Sequence, residues 1–376
     1  MTRTQLIEDR FKVRNPVLSR GEDKVITPGL PHQNNIQQVG YKLLSMLSFK
    51  GRKAEEVSRV LVSACLWNDS VESKSKGYNV SPQTVRNYVE EQGTEVIEKL
   101  LESMRRISME ILKGVKEVDI SIDWTTKTWY GKPVEGLGSS AKGNSWNYAT
   151  ATTKYQNMVL LLAFVPQVNG MSKDEIVKLL MEQIVGMGLK VGLVTLDAGF
   201  YTVEVLKFIS QFKFVIGVPV GDVKIYEEFD GEYTTNSKRH KKEEQVKFRL
   251  LVYGKEIVKK RKKTVVYFAR ATNLDLPKRE VLKLYNKVRS PIETSYRNIK
   301  AFLPFTSSTK FIFRELIFVL AMIFYSLYTV FKNVMTREEF RLLLILCFLD
   351  DLSDLKDFIF NLEETLINTI DLFLWR

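Results

Sequence analysis

EVDISIDW, residues 117–124, alternates Val118, Ile120 and Ile122 with Asp119, Ser121 and Asp123. A period of two predicts a β-strand with one apolar and one polar face, so both aspartates point the same way. Asp123 falls at the expected strand end, beside a loop of Thr125, Lys127 and Tyr130, and is better placed than Asp119 to offer a carboxylate at a sheet edge. VGLVTLDAGFY, residues 191–201, repeats the device. Asp197 follows an apolar strand directly and precedes Ala198 and Gly199, which suit a tight strand-to-helix turn; capping that helix is the plain alternative for its side chain.

Outward from these two carboxylates the element order becomes legible. NYATATTKY (147–155) and MVLLLAFVP (158–166) read as strands, and SKDEIVKLLMEQIVGMGL (172–189) as an amphipathic helix with Ser172 and Glu175 as a capping box. A strand over 190–196, a helix near 202–212 and a strand over 213–220 follow. Three strands, a crossover helix, then strand, helix, strand is the order of a ribonuclease-H-like mixed sheet, an α+β fold. Residues 222–278 interrupt it with short β-like pieces, which predicts an inserted β subdomain. The expected organisation is a polar arm over 1–35, a helical region over 36–114, a catalytic core over 115–221 and 279–310 split by the 222–278 insertion, and a helical region over 311–376. In the helical region, Ser81 and Pro82 read as N-cap and first helical position, followed by Thr84, Arg86 and Asn87. A short helix opening this way fits either a helix-turn-helix that meets DNA or a plain small bundle.

Charge points to a polyanionic partner: 56 Lys and Arg against 44 Asp and Glu leave a net charge of +12. Two basic runs, Lys238 to Lys242 and Lys259 to Lys263, lie in the insertion among Tyr226, Phe229, Tyr233, Phe248 and Tyr253. Rings that stack on bases beside lysines that neutralise phosphates would make a nucleic-acid surface; solvated loops are the alternative. Cys65 and Cys347 have no zinc or disulfide spacing, which fits a reducing cytoplasm, and the first sixteen residues lack the apolar core of a signal peptide. The apolar run 316–331 is shorter than the roughly 20 residues of a bilayer span and reads as a buried helix, so no membrane is expected.

Only His32 and His240 are available as imidazoles, so chemistry must run on carboxylates. Phosphodiester cleavage by two divalent ions needs hard oxygen ligands on one site, and Asp123, Asp197 and Glu293 in RSPIETSYRNIK (289–300) are the candidates. Ser290, Pro291 and Glu293 also fit the N-cap, first and third positions of a helix, so Glu293 could be a cap. From Glu293, Tyr296, Arg297 and Lys300 fall at i+3, i+4 and i+7 on one helical stripe, which beside a metal would grip phosphates.

The R-x3-E-x6-K pattern of Arg289, Glu293 and Lys300, with Tyr285 upstream, resembles the Y-R-E-K signature of DDE transposases of insertion sequences. The resemblance runs from about 115 to 335, and the N-terminal helical region is similar to that of archaeal members. Three residues separate Tyr285 from Arg289 where the signature has two. The resemblance implies a DDE triad of Asp123, Asp197 and Glu293 holding magnesium, with manganese as a substitute. It also implies that Arg289 and Lys300 contact the element's terminal phosphates, to which the helical stripe adds Tyr296 and Arg297 and the basic run Lys259, Lys260, Arg261, Lys262 and Lys263 as candidate DNA contacts. Its partners would be the element's terminal inverted repeats and target DNA, met by a homodimer at the nucleoid. A catalytically silent DNA-binding protein and a nuclease without strand transfer are the alternatives.

Overall fold

The computed structural model describes residues 47–348 apart from 141–142, 157, 169, 236–244, 260–261 and 334. The expected arm at 1–35, residues 36–46 of the expected helical region, the basic run 238–242, Lys260, Arg261 and the chain beyond 348 lie outside these residues.

Helices α1 (Ala54–Trp67), α2 (Val71–Ser75) and α3 (Pro82–Ile111) precede the sheet. The Ser81 hydroxyl accepts from the Thr84 amide at 3.0 Å, with Pro82 at the first helical position, as the sequence predicts. What the sequence suggests as a short helix is the start of a single helix of 30 residues. Gly93 does not break it, because the missing side chain admits a neighbour: a Cβ there would lie 2.9 Å from Ile312. Arg86, on the polar face offered to DNA in the helix-turn-helix reading, pairs with Glu72.

One mixed sheet of nine strands follows: β1 (Val118–Thr128), β2 (Gly138–Ser140), β3 (Gly143–Tyr155), β4 (Met158–Gln167), β5 (Val191–Leu196), β6 (Lys213–Val218), β7 (Phe229–Thr234), β8 (Lys247–Lys259) and β9 (Lys262–Thr272). The order is β2-β3-β1-β5-β6-β9-β8-β7, with β4 also on β3. Strands β4, β3 and β1 are antiparallel, and β1, β5 and β6 parallel, the ribonuclease-H-like arrangement. The segment expected as an inserted subdomain belongs to the same sheet, because β9 pairs antiparallel with β6 from Val215↔Thr272 to Val218↔Ala269. Its aromatic residues differ from expectation accordingly: Phe248 is buried, Phe229 and Tyr233 pack on the core, and Tyr226 alone of the five is exposed.

The period of two sorts the faces. Ile120, Ile122, Ala149 and Ala151 join α4 (Lys173–Gly186) and α5 (Val203–Ile209) in the main core on one face. The Ser172–Glu175 capping box opens α4 as expected. On the other face α7 (Lys278–Ile299) packs Val281, Tyr285 and Val288 against Leu193, Val215 and Leu251. A short α6 (Val220–Val223) lies between β6 and β7. The apolar run is α8 (Phe311–Phe331), buried within the fold from Leu316 to Leu327, and α9 (Arg337–Phe348) follows.

Glu315 of α8 is largely buried, and burial pushes its carboxyl up to about 7 from an ordinary 4.5. A raised folded-state pKa favours folding below the unfolded value and loses that contribution as pH rises through the folded one. Glu315→Gln should therefore match the wild type near pH 4.5 and melt above it from about pH 7 upward. Thermal melts of the two proteins across that window would test this, and a constant offset would contradict it.

Candidate active site

Register brings the two aspartates together. In the parallel β1–β5 pair, Ile122 lies opposite Leu196, so the next residue on each strand is Asp123 and Asp197. Strand β1 does not end at Asp123, as the sequence suggests; it continues to Thr128 against β3, with Asp123 opposite Thr150. What ends there is its pairing with β5. Asp119 lies at the far end of the strand and accepts from the Leu193 amide at 3.0 Å, away from the site. Behind Asp197 the chain turns tightly through Ala198–Phe200, and Gly217 of β6 makes room: a Cβ at Gly217 would lie 2.7 Å from the Ala198 amide nitrogen. Asp197 makes no capping hydrogen bond, so the capping alternative is not the one the fold adopts.

Both carboxylates meet one guanidinium. Arg289 Nη2 lies 3.2 Å from Asp123 Oδ2 and 3.5 Å from Asp197 Oδ1. Asp123 and Arg289 are almost fully buried, whereas the Asp197 side chain is 41% exposed. Burial raises the Asp123 carboxyl to about 6 despite Arg289, with Asp197 adding to the rise. The Trp124 amide donates to Asp123 Oδ1 at 2.9 Å. Tyr296 donates its hydroxyl to the Asp123 carbonyl at 3.0 Å and also bonds Thr150.

Arg289, a DNA contact by the resemblance, and Tyr296, one by the helical stripe, therefore sit differently from those expectations. Their polar ends are turned to the sheet, where they hold Asp123, and the reason lies in α7. The helix does not begin at Ser290–Pro291 but thirteen residues before Pro291, at Lys278, and runs unbroken through both positions. An N-cap role for Ser290 and a capping role for Glu293 are excluded by this. Arg289, position 293 and Tyr296 recur one turn apart, so position 293 stands on the face that meets Asp123. Tyr285 lies deeper, its hydroxyl 3.4 Å from the Leu196 carbonyl and its ring under Arg270 at 4.4 Å. Lys300, just past the helix, is exposed. Lys263 is exposed too, 3.7 Å from Glu256 at the far end of the β8–β9 ladder, which pairs out to Lys259↔Lys262. The side chains of Glu293, Arg297, Lys259 and Lys262 lie outside the described residues.

As a metal site the donor set is chemically apt: two carboxylates converge on one positive charge, and hard oxygen ligands suit magnesium or manganese. Among the described residues no three ligating side chains gather. Thr150, which lies opposite Asp123 and holds Tyr296, had no signal beyond the alternation of NYATATTKY.

The site is thus a pair of carboxylates at the ends of two parallel strands of a ribonuclease-H-like sheet, covered by one helix. The Transposase DDE domain model matches residues 115–327, more than half the chain, and the chain belongs to that family. A domain of unknown function, DUF4322, matches residues 26–91. Among solved structures, a piggyBac transposase synaptic complex with hairpin DNA is similar over 83% of this chain and 80% of that one, with a TM-score of 0.50 and 10% identity, a likeness of fold. No curated protein matches the sequence.

Proposed function

We propose that this chain is an insertion-sequence transposase of the Y-R-E-K group, with an archaeal-type N-terminal region, which binds element ends, hydrolyses DNA there and transfers the freed 3′ end to target DNA. The observation that carries the reading is α7: it lays Arg289 on both aspartates and Tyr296 on Asp123, with position 293 between them on the same face. Asp123, Asp197 and Glu293 would hold magnesium, or manganese in its place, which when bound activates the attacking oxygen and stabilises the leaving one. Arg289 keeps the two carboxylates together and offsets their repulsion, while Tyr296 and Thr150 fix the backbone that carries Asp123. Lys300 and the run from Lys259 to Lys263 would take phosphates of the terminal repeats and target, as would Arg297. A homodimer holding two ends, at the nucleoid of a cytoplasm, fits a DNA-joining role, and the N-terminal helices would add a further DNA contact.

The deciding experiment is plasmid nicking with magnesium, using DNA that flanks the reading frame. Glu293→Gln keeps size and polarity but replaces a carboxylate by a neutral amide, a poor partner for a divalent cation. Its melting temperature should stay near the wild-type value and its nicking should vanish. An active Glu293→Gln protein would remove the triad, and an inactive wild type on every flanking end would favour the silent DNA-binding alternative.

Neutralising Lys259, Lys260, Arg261, Lys262 and Lys263 tests the basic run separately. Affinity for end DNA should fall and the log–log salt slope flatten by about one unit per lost phosphate contact. An unchanged slope in a salt titration would make the run a solvated loop.

A further inference from the structure

Asp123 is held by the Arg289 guanidinium, by the Trp124 amide and, at its carbonyl, by Tyr296. Asp197 stands on a short turn with its side chain 41% exposed, and the guanidinium reaches it only at 3.5 Å. Two ligands of one small cation must keep a fixed separation, because magnesium demands near-ideal octahedral geometry. The turn that carries Asp197 therefore has to be fastened to the strand that carries Asp123. We infer that Trp124 is the positioning residue that fastens it, an inference that rests on the reading of the two aspartates as metal ligands.

Strand geometry sends the Trp124 side chain away from the carboxylates. Trp124 lies opposite Ala149, so it shares the face of Ile120 and Ile122 and not that of Asp123. Val118, Ile120 and Ile122 on that face are aliphatic and buried, whereas Trp124 is an indole and only partly buried. The difference lies in what stands beside each residue. Up to Ile122, β1 is paired with β5; at Trp124 the pairing has ended, and the turn after β5 takes its place. Gly199 of that turn comes so close that a Cβ there would lie 2.9 Å from Trp124 Cζ2 and 3.0 Å from Nε1. The indole also packs on Phe200, with ring centroids 4.7 Å apart, and Phe200 is fully buried. The Phe200 amide in turn donates to the Asp197 carbonyl at 3.0 Å. Trp124 thus reaches the Asp197 backbone through one ring contact and one hydrogen bond, as Tyr296 reaches the Asp123 backbone through one hydrogen bond. Lys173 Nζ, 5.9 Å from the indole centroid, adds a cation–π contact that helps to keep the ring in place.

Packing alone is the plain alternative, and any apolar side chain of sufficient volume would serve it. The atoms that meet Gly199 are Cζ2, Nε1 and Cε2, which phenylalanine lacks. Trp124→Phe should therefore keep an aromatic ring at the strand end and lose the turn. Gly199→Ala perturbs the same contact from the other side. Gly199 lies outside the left-handed region of φ, so alanine suits its backbone and the added methyl acts by pushing the turn off the indole.

The test is manganese binding to the full chain without DNA, followed by electron paramagnetic resonance of the unbound ion, beside melting temperatures in metal-free buffer. Trp124→Phe and Gly199→Ala should each weaken binding about tenfold, the lower end of what the partners of metal ligands are worth. In the double variant the methyl enters space that the smaller ring vacates, so the two losses should fall well short of adding. Ile184→Val, at a buried position near the other end of α4 from Lys173, should lower the melting temperature and leave the affinity unchanged. Asp197→Ala should abolish the binding. Unchanged affinity in both single variants, with Asp197→Ala still without binding, overturns the positioning role and keeps the ligands. Fully additive losses overturn it too, as does an affinity that falls in Ile184→Val in step with its stability. Binding that the wild type lacks, or that survives Asp197→Ala, removes the ligands and the inference with them. Should Trp124→Phe fail to fold, Gly199→Ala decides alone: a folded variant with weakened binding supports the positioning role, and one with wild-type binding overturns it.

Discussion

Asp123→Ala and Asp197→Ala should each reduce magnesium-dependent DNA cleavage to background, a loss of more than about a hundredfold, since even the partners of metal ligands are worth ten- to a hundredfold. DNA affinity should stay within a few-fold of wild type, because in the proposed function exposed lysines and not the carboxylates would meet phosphates. The two variants differ in their effect on the fold. Asp123→Ala removes a buried carboxylate whose desolvation already pushes it to about 6, and it leaves Arg289 paired with Asp197. Asp197→Ala removes the more exposed partner and leaves the buried pair intact. Both should therefore fold, and nicking measured beside filter binding decides the matter. Wild-type cleavage by Asp197→Ala would rule out the assignment of the site.

The second large effect concerns Arg289. Arg289→Met removes the counter-ion of a buried carboxylate, and breaking such a pair from one side costs roughly 3–5 kcal/mol. The loss should depend on pH in a fixed sense. Arg289 lowers the Asp123 pKa, so the variant's folded-state value rises beyond 6. A carboxyl raised in the folded state stabilises at low pH and loses that contribution as pH climbs through its folded value. The deficit of Arg289→Met relative to wild type should thus be small near pH 4 and largest above about pH 7. Denaturant titration at the two pH values in metal-free buffer would measure it. Magnesium should restore part of the stability at the higher pH, since an ion that binds only the folded state stabilises it by mass action. Equal stability of variant and wild type at alkaline pH would mean that the guanidinium is not the counter-ion of Asp123.

Local chemistry made much of this protein legible in its sequence. The alternation of Val118, Ile120 and Ile122 with Asp119, Ser121 and Asp123 set the faces of β1, because side chains on a strand alternate whatever surrounds them. Ser81 with Pro82 and the Ser172–Glu175 box opened their helices where expected, because a cap satisfies amides within one turn. Apart from the short β2, which the sequence did not reveal, the order of strands and helices from β1 to β6 needed no long-range information.

Tertiary structure decided the rest, and each case has a non-local cause. Ser290–Pro291 reads as a helix start because proline lacks an amide hydrogen and favours a first turn; in the interior it costs about 3 kcal/mol. Helix α7 carries that cost because Val281, Tyr285 and Val288 pack on the sheet ahead of it and Arg289 is pinned by two carboxylates. No local signal encodes those contacts. Gly93, a weak point in an isolated helix, is where α8 crosses α3, and a neighbour more than 200 residues away gives it its role. The pairing of β9 with β6, which joins the expected insertion to the sheet, depends on backbone groups that any sequence possesses. The convergence of Asp123, Asp197 and Arg289 comes from the Ile122↔Leu196 register and the path of α7. The sequence by itself determined which carboxylates stand at strand positions; which of them meet, and on which charge, was settled by the register between strands.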